Sequence, residues 1–323
     1  MIEQFEAALA QFGLRAALRP LPDTGPRFYV YEVLPQGATT VAALRARQAD
    51  LSVRLGLQSV VFVQENGKLY VMLAKQQAAF PRIFDIIRAL PEPMAPGEFV
   101  VGVATNGRIV RAQLRDMPHL LVCGATGSGK SVALHSLICG LAATHASNEL
   151  NFLLIDPKRI ELPPYAKLPH LLAEPACGPL DAGAALDMAI NAMEARYSGS
   201  DASSPIVVII DEFADLFTAA PSTEAKVRRL AAKARAANIH IVLATQRASV
   251  RIVSGDTKAN FPSRLALRTA SAVDSRVMLE RPDASTLLGK GDAIFRLNGN
   301  EDVRIQVPYC DMKEIMELLE HYR

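Results

Sequence analysis

Long apolar runs are missing from this chain. No run of about 18 or more apolar residues occurs, so it contains no ordinary membrane-spanning helix. The first residues, MIEQFEAALAQFG, carry acids and lack the apolar centre of a secretory signal. Cysteine is scarce: Cys123, Cys139, Cys177 and Cys310 are the only four. None forms C-x-x-C and no histidine cluster accompanies them, which argues against a disulfide framework or a zinc site and for reduced thiols in a cytosolic protein. Tryptophan is absent, and that carries no functional meaning. A large excess of either charge is also lacking. The formal net charge is +2, so any surface that binds a polyanion must be local. Neither internal repeats nor low-complexity tracts are visible. What remains is a soluble, cytoplasmic chain of 323 residues, half of them hydrophobic, enough for two domains or one large one.

The first part, to about Pro96, reads as a small α+β module. The stretch 25–34 alternates and is aromatic, as a strand does. Residues 39–57 predict one amphipathic helix with Leu44, Leu51 and Leu55 on its apolar side. Two strands fill 59–73 around Asn66-Gly67, a strong hairpin signal, and 81–90 reads as a further helix. The proline-rich PEPMAPGEF (91–99) breaks the pattern, which places a boundary at 97/98. A second hairpin, 99–114, turns at Asn106-Gly107. Apolar strands then alternate with helices: strands at 119–123, 151–155, 205–210, 239–244 and 263–268, a closing pair near 292–297 and 302–307, and helices at 130–143, 181–197, 224–237, 274–280 and 312–321. Such alternation predicts an α/β fold with a mostly parallel sheet over 98–323.

GATGSGKS, from Gly124 to Ser131, matches G-x-x-x-x-G-K-[ST] between a strand and a helix, the context a P-loop requires. Gly124, Ala125, Thr126, Gly127, Ser128 and Gly129 form the loop. Its backbone N–H groups, with the first helical turn of Lys130, Ser131 and Val132, suit the phosphates of ATP. Lys130 is expected to reach the β- and γ-phosphates, and Ser131 to ligate Mg²⁺. IVVIIDEFADL (206–216) ends a buried strand at Asp211, the second expected Mg²⁺ partner. Glu212 follows directly, where a carboxylate can polarise water for in-line attack on the γ-phosphate. The strand 239–244 leads to Thr245 and Gln246, polar groups positioned to meet that phosphate or the attacking water. A strand between the P-loop strand and the Asp-Glu strand is the RecA-like (ASCE) layout.

Taken in order, PHLLVCGATGSGKS, LLIDPKRIELPPYAKLPHLL, VVIIDEFADL, LAAKARAANIHIVLATQRASV, KANFPSRLALRTASAVDSRVML and LLGKGDAIF resemble the motor of FtsK/SpoIIIE DNA translocases. The resemblance is dense from about Pro118 to Phe295, and the N-terminal module is similar to that family's small α domain in pattern only. It implies a homohexameric ring, double-stranded DNA in its pore and ATP at subunit interfaces. The segment 246–264 is read as cationic without a stacking aromatic, a composition suited to phosphates rather than unpaired bases. The resemblance points Arg247 and Lys258 at DNA, and with less force Arg251 in the same segment and Lys158 and Arg159 of DPKRIEL. It also makes Arg235 the first choice for an arginine finger acting on a neighbour's nucleotide, with Arg276 second.

Departures from the family pattern are visible. SAVDSR (271–276) stands where the family usually has SKIDSR, and QRAS where it has QRPS. The membrane helices and winged-helix reader of chromosomal members are not encoded here. Either an excised motor or a naturally minimal translocase of a mobile element is expected, and the initiator-like Met1 and divergent N-terminal module favour the second. The alternatives are an FtsK-like ATPase powering protein secretion, a conjugation coupling protein with a membrane partner, and a nucleotide-dependent DNA clamp that does not move.

Overall fold

The computed structural model describes residues 1–65, 67–249 and 252–322. The chain divides into two compact units, residues 1–80 with 103–109, and residues 81–102 with 110–323.

The first unit runs α1 (Ile2–Ala10), β1 (Ala16–Pro20), β2 (Phe28–Pro35), α2 (Val41–Ala46), α3 (Gln48–Leu55), β3 (Val60–Glu65) and β4 (Lys68–Ala74). Its antiparallel sheet has the order β1-β2-β4-β3, and its core gathers Phe5, Leu9, Leu44, Leu51, Val71 and Leu73. The single helix expected over 39–57 is two. Thr40 caps α2 by accepting from the Ala43 N–H. The chain then leaves helical geometry at Arg47 (φ −101°, ψ 7°) and starts again as α3, which brings both Leu44 and Leu51 into the core. β3 and β4 pair with Glu65 opposite Lys68, and the Asn66 half of the expected turn lies outside the described residues.

The second unit continues with α4 (Ile83–Arg88), β5 (Glu98–Ala104), β6 (Ile109–Gln113), β7 (His119–Cys123), α5 (Lys130–Thr144), β8 (Asn151–Ile155), α6 (Pro179–Tyr197), β9 (Ile206–Ile210), α7 (Phe213–Ala219), α8 (Pro221–Lys233), β10 (Ile239–Thr245), α9 (Gly255–Asn260), β11 (Ser263–Leu267), α10 (Ala272–Leu279), β12 (Asp292–Arg296), β13 (Val303–Gln306) and α11 (Met312–His321). The tip of the β5–β6 hairpin, 103–109, belongs to the first unit. The nine strands of the sheet follow the order β6-β5-β13-β12-β11-β7-β10-β9-β8.

Strands β8, β9, β10, β7 and β11 are parallel. β7, β9, β10 and β11 are buried at every residue, as the continuous apolar runs of a sheet covered on both faces require. The expectation of a mostly parallel sheet holds for these five. Beyond β11 the strands turn antiparallel, β11 to β12 and β12 to β13; β12 and β13 are joined by a short turn rather than a crossover helix. The sheet is therefore mixed. β10 lies between β7 and β9, the arrangement expected for the strand between the P-loop and the Asp-Glu motif.

Candidate nucleotide-hydrolysis site

Parallel strands deliver their loops to one edge. With Thr245 opposite Cys123 and Leu243 opposite Ile210, the residues after β7, β9 and β10 emerge side by side. The P-loop leaves β7 at Gly124, where a Cβ would collide with Ser128 and Leu267, so only glycine lets the loop lie this close. Gly129 has φ +103° and backs onto Gly291. A second loop closes on the first: the Gly291 N–H donates to the Ser128 carbonyl (2.7 Å), and the Ala125 N–H to the carbonyl of Arg268 (2.9 Å). The Ala133 N–H is the first in α5 to find a helical partner, the Gly129 carbonyl. The donors of Lys130, Ser131 and Val132 therefore stay available for an anion, as at any helix start.

Lys130 and Asp211 are both buried and form an ion pair. Burial raises the Asp211 carboxyl above its ordinary value, against the pull of Lys130. Glu212 is 4 % exposed and sits at a left-handed backbone position, φ +48°, which turns its side chain from β9 toward β10. There its carboxylate accepts from Thr245 Oγ1 (2.7 Å) and from the Gln246 N–H (3.2 Å to each oxygen). The Gln246 side chain accepts from Thr126 Oγ1 at 3.3 Å. The structure thus brings Thr126, Lys130, Asp211, Glu212 and Gln246 together.

The cations expected at DNA have different settings. Lys158 Nζ lies 3.1 Å from Asp215 and 3.6 Å from Glu212. Burial disfavours its charge, but these two carboxylates outweigh that and hold the ammonium above its usual range. Arg159, at φ +60°, donates to the Cys177 carbonyl (2.7 Å). Arg247 is exposed, and Lys258 is half-buried on α9. Arg251 lies outside the described residues. Phe261 does stand in that segment, but it is 2 % exposed and packs against the His119 ring, so it offers no stacking platform. Arg264 is buried and bonded to the Met278 carbonyl and Glu280. Arg235 is exposed in a short 3₁₀ turn just before β10, at the opposite strand end from the P-loop. At about 3.3 Å per residue, the length of β10 keeps it from its own chain's phosphate site. Arg276, the second choice, is exposed on α10.

Sequence reasoning missed a part-buried chain that starts at Ser131. Ser131 Oγ donates to Glu161 (2.6 Å), whose other oxygen meets His135 Nε2 (3.2 Å), while His135 Nδ1 meets the Tyr165 hydroxyl (3.1 Å). His135, with Ser131, holds the Glu161 carboxyl down at about 2 although partial burial works the other way. The i, i+4 spacing of Ser131 and His135 was the available signal; the arrival of Glu161 was not legible.

Two observations test the fit of a magnesium nucleotide. The Ser128 hydroxyl is buried with no partner among the described residues, and the Gly127 position (φ +74°) leaves open space where a Cβ would stand. Ser131 and Asp211 add the hard oxygen donors Mg²⁺ prefers. These residues fit the group.

This edge is that of a P-loop ATPase fold. Two solved structures share it. TcpA, the conjugation coupling protein of pCW3, solved as a monomer with ATPγS, aligns with a TM-score of 0.68 and 20% identity over 100% of this chain and 99% of its own. The cytoplasmic domain of the Thermomonospora curvata type VII secretion ATPase EccC gives 0.60 and 23% over 73% of this chain and 32% of its own. At these identities the likeness is one of fold. The model of the FtsK/SpoIIIE family matches residues 91–204 and 198–250. DNA translocase SpoIIIE of Bacillus subtilis (strain 168) is 32% identical over 98% of this chain and 44% of its own length. DNA translocase FtsK of Streptococcus pneumoniae (strain ATCC BAA-255 / R6) is 34% identical over 98% and 46%. The chain belongs to the FtsK/SpoIIIE family. It spans less than half the length of these curated relatives. Among the described residues no helix is long and apolar enough to cross a membrane.

Proposed function

We propose that this chain hydrolyses ATP to move double-stranded DNA, acting as a homohexameric ring in the cytoplasm. The observation that carries the reading is Glu212, a buried carboxylate held by Thr245 and Gln246 beside the Lys130–Asp211 pair. Kinases have no use for a base there; a hydrolase does. Ser131 and Asp211 would hold Mg²⁺, which when bound offsets charge on the β- and γ-phosphates. Lys130 and the loop N–H groups fix the triphosphate. Glu212 orients a water and takes its proton, while Gln246, anchored near Thr126, lines the γ-phosphate side. Arg235, on the far strand end, serves a neighbouring subunit's nucleotide, with Arg276 the second choice. Arg247, Lys258 and Arg251 contact DNA phosphates, with Lys158 and Arg159 on the other turn. Residues 1–97 are read as the small α+β domain preceding the motor, and 98–323 as the motor itself.

DNA as cargo is supported by relatives whose names say DNA translocase. Protein secretion or conjugative transfer with a membrane partner is the second reading, favoured by the fold likeness to EccC and TcpA. ATP turnover with and without linear duplex DNA tests the choice. The first reading expects DNA to stimulate hydrolysis and the active species to sediment as a hexamer. ATP turnover indifferent to DNA overturns it in favour of the second.

A further inference from the structure

The turn after β8 is built around one carboxylate. Asp156 is fully buried, and its two oxygens accept from the backbone N–H groups of Lys158, Arg159, Ile160, Glu161 and Leu162, at 2.8 to 3.1 Å. Residues 156–162 therefore behave as one rigid piece. From this piece two side chains reach the hydrolytic site. Glu161 takes the Ser131 hydroxyl (2.6 Å), and Lys158 bridges Asp215 and Glu212. Arg159 and the exposed Ile160, at 67%, stand between them.

We propose that Lys158 is a positioning residue that restrains Glu212, and that a DNA phosphate drawing the Lys158 ammonium away releases the carboxylate for catalysis. The inference rests on the reading of DNA as cargo. Glu212 is engaged on every side: two neutral donors come from Thr245 and Gln246, and one full charge comes from Lys158. An ammonium beside a carboxylate fixes its direction, which opposes a general base that must turn to its water. The Lys158 side chain is 35% exposed while that of Glu212 is 5%, so a polyanion has access to the ammonium and not to the carboxylate. The exposed Asp215 keeps the restraint partial, because it shares the same ammonium.

The test is steady-state ATP hydrolysis by the full chain, wild type and Lys158→Gln, without DNA and with saturating linear duplex DNA. Without DNA, K158Q is expected to raise kcat about fivefold, the scale of one partly exposed ion pair, with KM for ATP unchanged. DNA then adds correspondingly less. A gain in kcat at unchanged KM is a split that loss of packing would not produce. K158R falls between the two. Asp215→Asn, far less invasive, changes the rate in the opposite direction: with Glu212 its only partner, Lys158 restrains more firmly and DNA-free kcat drops. An unchanged or lower DNA-free kcat in K158Q with wild-type melting, or an unchanged or higher one in D215N, overturns the restraint. If the wild type itself ignores DNA, the cargo reading fails, and the DNA-free arm still decides the role of Lys158.

Discussion

Two cationic segments border the Glu212 carboxylate in opposite ways. Residues 156–162 are fixed from within by Asp156 and wired to Glu212 and Ser131 through Lys158 and Glu161. Among the described residues, the segment after β10 touches Glu212 only through the Gln246 N–H at its root. It is then pinned to the core by Ala248, Val253 and Phe261, each 2 % exposed or less. Arg247 and Lys258 make no side-chain hydrogen bond or ion pair among the described residues. Lysines that look alike in sequence thus do different work: Lys158 has its charge committed to the hydrolytic site, and Lys258 has its charge free for a ligand. The first segment is suited to transmit, the second to grip.

The largest expected effect lies where the segments meet. Glu212→Gln should lower kcat by about a thousandfold, the usual scale of a general base, with ATP affinity retained in an equilibrium binding titration. Turnover near wild type would remove the carboxylate on which the comparison is centred. Next comes the frame of the first segment. Asp156→Ala removes a side-chain acceptor of five backbone N–H groups, of which that of Arg159 keeps the residue-156 carbonyl, and should cost about 3 kcal/mol of stability in chemical denaturation. Ser254→Ala, which removes only the α9 cap on the Thr257 N–H, should cost about 1 kcal/mol. Equal losses would mean that the two segments are held alike.

Charge reversal of the gripping segment, Arg247→Glu with Lys258→Glu, should raise the DNA concentration for half-maximal stimulation about tenfold and flatten its salt dependence. An unchanged salt slope would take DNA off this segment. A further effect belongs to neither segment. On β7, His119 Nε2 faces the Ala231 carbonyl and its Nδ1 accepts the Ile241 N–H, a neutral tautomer. Burial and the neighbouring His240 lower its pKa from 6.5 to about 4. The unfolded chain binds the proton first, so this contribution is complete above pH 6.5 and is lost as pH falls toward 4. The loss, about 3 kcal/mol, should appear in urea melts and shrink in His119→Gln.

What was readable in the sequence follows from local physics. The short apolar runs of β7 to β11 and the glycines of the P-loop announce themselves within a few residues, and their order gave the position of β10. Thr126, Gln246 and Glu212 fell together because parallel strands end at one edge. The break at Arg47, the short helices α7 and α9, and the antiparallel turn beyond β11 were not legible, because tertiary packing decides them. The Ser131–Glu161–His135 chain and the Lys158–Glu212 pair were hidden for the same reason. Each joins residues 26 to 54 positions apart, and a loop lysine carries no mark of the carboxylate it will meet.

The most direct test of the account puts ATP turnover and movement in one tube: linear duplex DNA carrying a third strand, with displacement of that strand followed alongside phosphate release. The account predicts that ATP displaces the third strand, that DNA speeds turnover, and that Glu212→Gln abolishes both. Hydrolysis that ignores the duplex and leaves the third strand in place would contradict it.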